Sequence, residues 1–167
     1  MIISPHNSPE HRATIWLWLS LLVIIADQST KIFFDQWLNL RQSVTVISGF
    51  SWTLAYNYGA AFSFLNNSGG WQRWFLSVVA LGVSVGLVVW LRGTERKEWR
   101  IAVPLALIIG GAIGNVIDRL RLGYVIDFID VYYGESHWPA FNIADSAISV
   151  GAVGLILISL FQHPEKS

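Results

Sequence analysis

Residues 101–120 read IAVPLALIIGGAIGNVIDRL, and the first charged side chain in this run is Asp118. A helix that rises about 1.5 Å per residue crosses the hydrocarbon core of a bilayer with about 20 such residues. Three other apolar runs are long enough to do the same, at residues 13–34, 71–91 and 141–161. The sequence therefore predicts a membrane all-α bundle of four transmembrane helices, formed by a single domain of residues 1–167.

The composition of the chain supports this class and excludes several others. Of the 167 residues, 53% are hydrophobic and 13% are charged, and the mean hydropathy is +0.49. Soluble domains carry about 25% charged residues. The net charge is zero, which gives no support for nucleic-acid binding, and the absence of cysteine excludes a disulfide framework and a thiol nucleophile. The histidines lack the helical spacing of a zinc protease, so we expect neither a metal nor a cofactor.

The first apolar run has some features of a cleavable signal peptide. Arg12 precedes a hydrophobic segment that ends at Ala26. No small-x-small cleavage site follows that segment. We therefore expect a retained helix that continues through Asp27 and Lys31.

The distribution of basic residues predicts how the bundle is oriented. The long link 35–70 carries only Arg41, whereas the short link 92–100 carries four basic residues, namely Arg92, Arg96, Lys97 and Arg100. Cytoplasmic loops are enriched in Lys and Arg. Both termini and the 92–100 link are therefore expected in the cytoplasm, and the links 35–70 and 121–140 on the outer side.

The outer link 35–70 contains a segment with the composition of a small β-sheet. Residues 43–56 are rich in β-branched and aromatic side chains and are interrupted by Ser48-Gly49. This pattern predicts a hairpin at the membrane surface, within an extracytoplasmic β region of about residues 43–62 between the first two helices.

Two aspartates lie at the edges of the apolar runs, Asp127 in YVIDFI and Asp145 in FNIADS. A charged side chain at the centre of a transmembrane helix costs about 2.5–3.5 kcal/mol, and less near the interface. Two carboxyls in a site of low dielectric constant can share a proton and activate water for amide hydrolysis. The alternative is structural: Asn142 caps the fourth helix with Asp145 in its first turn, and Asp127 is a solvated loop residue.

Asp27 precedes Lys31 by four residues, which is the favourable helical orientation for an ion pair. In one interpretation the pair is local and the Lys31 ammonium reaches outward to water. In the other, the pair braces or contacts a site formed by Asp127 and Asp145.

Asn115 and Arg119 are one helical turn apart near the end of the third run. An amide and a guanidinium there can hold peptide carbonyls or a lipid phosphate. Arg119 and Arg121 oppose the orientation predicted from the other basic residues, which suggests that they have a separate role. Asp118 is expected to pair with a neighbouring arginine.

Glycines in two helical runs are predicted to allow close helix packing. Gly110 and Gly114 have the small-xxx-small spacing of helix interfaces. Residues 82–86 read GVSVG and match the nucleophile-elbow string, but that motif requires a strand-to-helix turn and this segment lies inside an apolar helix. We therefore expect Gly82 and Gly86 to serve helix packing as well.

Two other classes of protein are compatible with membrane acids. In a transporter or channel, Asp27, Asp127 and Asp145 would form a proton or cation path. Four spans without an inverted repeat are few for that class. In an assembly protein, the acids would only join subunits.

We also expect residues 128–138 to form an aromatic surface loop that serves as a lid.

Five short motifs occur in a fixed order: DQxxK at 27–31, NxGxAF at 57–62, GNxxDR at 114–119, VIDF at 125–128 and PAFNxADS at 139–146. Together they resemble the motifs of the bacterial lipoprotein signal peptidases, the signal peptidase II or A8-type aspartyl peptidase family. The resemblance covers residues 14–161.

This resemblance implies an inner-membrane aspartyl protease that removes the signal peptide from prolipoproteins carrying a diacylglyceryl group on cysteine. Asp127 and Asp145 would be the catalytic pair. Five residues would line or support the substrate pocket, with Asp27 and Lys31 nearby: Asn57, Gly59, Asn115, Arg119 and Asn142. The implied partners are prolipoprotein substrates, membrane lipids and globomycin-type inhibitors.

Overall fold

The computed structural model describes residues 12–59 and 70–161. In chain order, the elements are a 3-10 turn at Ala13–Trp16, α1 (Leu17–Trp37), β1 (Ser43–Ile47), β2 (Phe50–Asn57), α2 (Gln72–Gly93), α3 (Trp99–Arg121), β3 (Val125–Tyr133), β4 (Ser136–His137) and α4 (Ile143–Phe161).

The four helices are each long and apolar enough to cross a membrane, which confirms the predicted fold class. Their bounds agree with the predicted runs to within a few residues, except that α1 continues to Trp37. The polar residues that follow Ala26 do not end α1, because Asp27 and Lys31 are buried against the other helices instead of facing lipid.

Helix α3 lies at the centre of the bundle and packs against α1, α2 and α4. Two of its glycines allow the close approach to α1 that their spacing predicts. A Cβ atom at Gly110 would lie 2.8 Å from the carbonyl oxygen of Ser20, and one at Gly114 would lie 2.7 Å from Oδ2 of Asp27. Neither position has room for a side chain.

The packing prediction for the GVSVG segment of α2 is wrong for its glycines. The segment is helical, as expected. A Cβ atom at Gly82 or Gly86 would meet nothing within 4 Å in the described part of the chain, and both glycines are exposed. Helix α2 contacts the bundle through other positions, including the buried Ser84 and Leu91.

The predicted hairpin is present as β1 and β2, which pair antiparallel around Gly49 at φ +89°. The prediction was incomplete, because β3 pairs antiparallel with β2 and extends the sheet to the order β1-β2-β3-β4. The sheet therefore combines the α1–α2 link with the α3–α4 link. Residues 60–62 of the predicted β region lie outside the described residues.

The expectation of a loop over residues 128–138 is wrong for most of that range. Residues 128–133 belong to β3, and residues 136 and 137 form β4. The run VYY at 131–133 continues the β-branched and aromatic character of VIDFI, so strand pairing extends beyond the acidic positions. Instead of a free lid, the segment forms a β-hairpin whose continuation returns along β3.

An apolar cluster attaches the sheet to the end of α1. Its buried members are Phe34 from α1, Leu38 just after that helix, Leu54 from β2, and Ile126 and Phe128 from β3. The rings of Phe34 and Phe128 are stacked with their centroids 4.3 Å apart. This attachment holds the β3 backbone, and therefore Asp127, over the end of the helical bundle.

Candidate active site

Asp127 and Asp145 line the same pocket, which has a volume of about 700 Å³. Asp127 is the third residue of β3, and Asp145 lies in the first turn of α4. Three other predicted site residues line this pocket, namely Asn57, Asn115 and Arg119. These five side chains come from the end of α3, from strands β2 and β3, and from the start of α4.

The fully buried side chain of Asn142 connects the two aspartates. Its Nδ2 donates to Oδ1 of Asp127 at 2.6 Å, and its Oδ1 accepts a hydrogen bond from the backbone N–H of Asp145 at 2.9 Å. The backbone N–H of Asn142 donates in return to Oδ2 of Asp145 at 3.3 Å. This reciprocal arrangement is a capping box at the start of α4, so the capping by Asn142 that was considered as the structural alternative is present.

Asp127 is the more deeply buried of the two acids, with 2% of its surface exposed. Its Oδ2 accepts a hydrogen bond from Nδ2 of Asn57 at 3.2 Å. Burial, followed by the negative charge of Asp145, raises the pKa of Asp127 to about 7, although the amides of Asn57 and Asn142 act in the opposite direction. The two carboxyls are therefore close enough to influence each other's charge.

Asp145 is held by a second amide. Nδ2 of Asn115 donates to Oδ1 of Asp145 at 2.8 Å, and Oδ1 of Asn115 accepts a hydrogen bond from Nζ of Lys31 at 2.9 Å. An ammonium can only donate hydrogen bonds, so Lys31 fixes the orientation of the Asn115 amide. The N–H end of that amide is thereby directed at Asp145.

Lys31 belongs to a buried ionic cluster behind the pocket. It is 1% exposed, and its Nζ lies 2.8 Å from Oδ2 of Asp27 and 3.0 Å from Oδ2 of Asp118. Asp27 also accepts a hydrogen bond from the N–H of Ala144, and Asp118 accepts one from the N–H of Ile126. The cluster therefore connects α1 and α3 to the backbone near each catalytic candidate.

One of the two interpretations of the Asp27–Lys31 pair is wrong, and so is the expectation for Asp118. Lys31 does not reach outward to water, because two carboxylates and an amide inside the bundle satisfy its ammonium. Asp118 pairs with Lys31 instead of with an arginine. Both corrections have one cause: a buried charge is tolerated only beside an opposite charge and hydrogen-bond partners.

Arg119 lies at one side of the pocket beside Gly59. Its Nη2 donates to the carbonyl oxygen of Gly59 at 3.3 Å, and Gly59 donates its own N–H to Oδ1 of Asn57 at 3.0 Å. The buried Nε of Arg119 has no hydrogen-bond acceptor in the described part of the chain. The arginine therefore retains donor capacity toward a ligand in the pocket.

The nine residues singled out from the sequence form two layers. Five line the pocket, while Asp27, Lys31, Gly59 and Asn142 stand behind it and hold the lining residues in place. Their roles in binding and catalysis stay predictions. Within residues 12–59 and 70–161, no group of three His, Cys, Asp or Glu side chains is arranged to hold a metal ion.

The sequence reasoning did not assign a role to Gln28 or Asp130. Nε2 of Gln28 donates to Oδ2 of Asp27 at 3.2 Å and to Oδ1 of Asp118 at 2.9 Å, so it is part of the ionic cluster. Asp130 is buried on β3 and accepts a hydrogen bond from the hydroxyl of Thr53 at 3.0 Å. The position of Gln28 within the DQxxK motif could have indicated its place in the cluster. The partner of Asp130 could not be predicted in this way, because it depends on how β2 and β3 are aligned.

The comparison with known proteins agrees with this architecture. The sequence model of the family described as signal peptidase (SPase) II matches residues 19–161. The lipoprotein signal peptidase of Pseudomonas putida is 58% identical over 144 residues, covering 85% of this chain and 84% of the relative. That of Xylella fastidiosa is 54% identical over 163 residues, covering 95% of this chain and 98% of the relative.

A solved structure described as a bacterial membrane enzyme at 2.3 Å resolution matches the fold with a TM-score of 0.80. It is 28% identical in sequence, and the match covers 94% of this chain and 98% of that one. Family, sequence and fold agree over nearly the whole length. The chain therefore belongs to the signal peptidase II family, and it is a membrane-spanning peptidase.

Proposed function

We propose that this peptidase cleaves the signal peptide from diacylglyceryl-modified prolipoproteins, immediately before the lipidated cysteine, and that Asp127 and Asp145 activate the attacking water. The family and its named relatives support the substrate class. The aspartate mechanism is supported by one observation above others: a single buried residue, Asn142, holds both carboxyls at the wall of one pocket. Its side-chain amide donates to the carboxylate of Asp127, and its backbone N–H donates to the carboxylate of Asp145.

The proposed mechanism follows from the shared charge of the pair. One carboxylate accepts a proton from a water molecule as the water oxygen attacks the scissile carbonyl carbon. The other carboxyl is protonated and donates its proton to the carbonyl oxygen. When the tetrahedral intermediate collapses, the C–N bond breaks, the leaving amine of the lipidated cysteine takes a proton from the protonated carboxyl, and one hydroxyl of the intermediate returns its proton to the other carboxylate.

In this mechanism the two carboxyls share one proton, which is not assigned to either residue. The environment of Asp127 favours a singly protonated pair near neutral pH, because burial and the charge of Asp145 both raise its pKa to about 7. A singly protonated pair contains both the base and the acid that the mechanism needs.

The remaining site residues have complementary proposed roles. Arg119 would orient the peptide near the scissile bond through its unpartnered Nε donor, and Asn57 and Asn115 would position the two carboxyls and line the pocket beside it. Asp27 and Lys31 would act from behind, by way of Asn115 and the start of α4.

The membrane position of the pocket suits a substrate with an apolar signal helix and acyl chains. Apolar residues of α4, including Ile148 and Val150, line the pocket together with Trp138 and Pro139. We propose that the pocket opens toward the periplasmic face of the inner membrane, with both termini in the cytoplasm. We also propose that cyclic peptides of the globomycin type occupy the same pocket and inhibit cleavage.

A cleavage assay in detergent tests the central proposal. Wild-type protein is expected to cleave a lipid-modified prolipoprotein and to leave the unmodified precursor intact. Asp127→Asn and Asp145→Asn are each expected to abolish cleavage while the protein still accumulates in the membrane. Near-normal turnover by either variant would contradict the aspartate assignment, and equal cleavage of the unmodified precursor would contradict the substrate assignment.

The transport alternative has a direct test of its own. A proton or cation path through Asp27, Asp127 and Asp145 would give flux across proteoliposomes that these same Asn variants remove. Membership of a peptidase family argues against that outcome.

A further inference from the structure

A second pocket lies at the end of the bundle where α2 begins and α3 ends. Its volume is about 600 Å³, and it shares no lining residue with the pocket of Asp127 and Asp145. Arg73, Trp71, Trp74 and Tyr58 form much of its wall, and the turn after α3 closes one side. We call it the Arg73 pocket.

The guanidinium of Arg73 has no carboxylate partner among residues 12–59 and 70–161. Arg73 is half-buried, and its guanidinium carbon lies 4.8 Å from the centroid of the Trp74 ring. The neighbouring segment 60–69 contains neither Asp nor Glu. A partly desolvated guanidinium without a counter-charge favours an anionic ligand.

The backbone turn next to Arg73 is shaped to accept the guanidinium. Gly123 has φ +87°, and a Cβ atom built there would lie 3.2 Å from Nη1 of Arg73. The arginine therefore lies against the main chain of the turn, and its side chain is confined instead of extending freely into water. A confined guanidinium presents its donors in a fixed direction, which suits phosphate recognition.

The surroundings of Arg73 select an amphiphilic anion. Trp71, Trp74 and Tyr58 are each about half exposed, and aromatic rings of this kind lie at the headgroup level of membranes. Below them, α2 exposes the apolar side chains of Phe75 and Val78. A phosphate at Arg73 would thus be continuous with acyl chains along α2.

We propose that the Arg73 pocket binds the phosphate of an anionic glycerophospholipid, with the guanidinium as the headgroup ligand and the face of α2 as the acyl-chain surface. This lipid is not the proposed substrate, whose diacylglyceryl group carries no phosphate. The binding site is adjacent to the active site in the chain, because Tyr58 stands between Asn57 and Gly59, which reach Asp127 and Arg119. Bound lipid would stabilise that segment.

Native mass spectrometry of the full-length protein in detergent tests the assignment. Phosphatidylglycerol and phosphatidylcholine are added in equal amounts, and the fraction of protein that retains each lipid is measured. Wild-type protein is expected to retain phosphatidylglycerol preferentially. Arg73→Gln is expected to weaken that retention about fivefold, which corresponds to ~1 kcal/mol, whereas Arg73→Lys keeps the charge and is expected to lose less.

Arg100 provides a matched control, because its guanidinium also lies over the ring of the preceding tryptophan, Trp99, but outside this pocket. Arg100→Gln is expected to retain phosphatidylglycerol like the wild type. The proposal is overturned if Arg73→Gln retains as much as wild type, if both arginine variants lose it equally, or if wild type shows no preference between the lipids. Stabilisation by inorganic phosphate without lipid retention would overturn the lipid assignment in favour of a free anion. None of these measurements depends on peptide cleavage.

Discussion

Asn115 joins two pairs of aspartates that differ in how their charge is compensated. Asp27 and Asp118 share the ammonium of Lys31, which lies within 3.0 Å of both. Asp127 and Asp145 receive hydrogen bonds from amides and backbone N–H groups, and neither forms an ion pair among the described residues. One pair is bonded to a buried ammonium behind the pocket, and the other lines the pocket and is bonded to uncharged donors.

We propose that this difference separates a structural role from a chemical one for the same residue type. A carboxylate beside a buried ammonium has no reason to exchange protons, and removing its partner strands a charge. Two carboxyls held side by side by neutral donors repel each other, so one of them readily keeps a proton. Direct contact with the Lys31 ammonium therefore distinguishes the two pairs.

The largest expected effect contrasts one member of each pair. Asp127→Asn is expected to lower the cleavage rate by at least ~10³-fold because it removes a proton-transfer group, with little loss of folding stability. Asp118→Asn is expected to keep measurable cleavage but to lower the free energy of unfolding by about 1–3 kcal/mol, since it weakens the pairing of Lys31.

Rates of prolipoprotein cleavage and thermal unfolding of both variants in the same detergent measure this contrast. If Asp118→Asn were as inactive as Asp127→Asn while remaining equally stable, the division into structural and chemical pairs would be wrong.

Removal of the shared cation is the next test. Lys31→Met leaves Asp27 and Asp118 as two buried acids without a counter-charge, and we expect a loss of about 3–5 kcal/mol in the free energy of unfolding. Lys97 is the matched control, because its ion pair with Glu95 is made by a side chain that is 81% exposed. Lys97→Met is expected to give no measurable change in the unfolding midpoint, and equal effects of the two variants would contradict the buried cluster.

Asn142 allows the capping function to be separated from the bridging function. Serine also caps helices well, so Asn142→Ser is expected to change the free energy of unfolding by no more than ~1 kcal/mol. The serine lacks an amide that reaches Asp127, and we expect cleavage to fall by about 10–100-fold. Asn142→Ala, which removes both functions, serves as the comparison. Full activity of the serine variant would show that the bond between Asn142 and Asp127 is dispensable.

The smallest expected effect concerns how stability and the cleavage rate depend on pH. The pKa of Asp127 is raised from 3.8 to about 7 in the folded protein. The folded state therefore binds this proton more tightly than the unfolded state, and the contribution of Asp127 to stability falls as pH rises from about 4 through about 7. Cleavage that requires a singly protonated pair is expected to decline above pH 7, by about tenfold per pH unit at the limit.

Asn57→Ala sharpens this test, because the Asn57 amide favours the charged form of Asp127. Its removal is expected to move the alkaline limb of the cleavage profile to higher pH, by less than about one unit. A limb that stays in place or moves to lower pH would show that another group controls it.

Sequence patterns were sufficient for the elements defined by local periodicity. The four apolar runs, the hairpin around Gly49 and the cap at Asn142 all follow from residues within a few positions of one another. Strand β3 was missed because Asp127 and Asp130 interrupt an otherwise apolar segment. Its pairing depends on β2, which is distant in the chain.

The charged cluster was not predictable from local sequence for the same reason. The residues at 27 and 31 have the spacing of an exposed helical pair, and only the packing of α1 against α3 brings Asp118 to Lys31. For Gly82 and Gly86 of α2 the error was the opposite one: the sequence predicted a helix contact that the structure lacks. Their spacing is that of a helix interface, but no described residue packs there. Periodicity identifies a face of a helix without identifying what covers it.

The stack of Phe34 on Phe128 has a consequence for how the two acids stay in register. Asp127 is carried by the sheet and Asp145 by the helical bundle, and those two rings are part of the joint between the carriers. A tilt of one carrier against the other would widen or narrow the gap between the two carboxyls, which in the proposed mechanism holds the attacking water. We therefore expect the spacing of the two acids to depend on an aromatic stack that does not line the pocket.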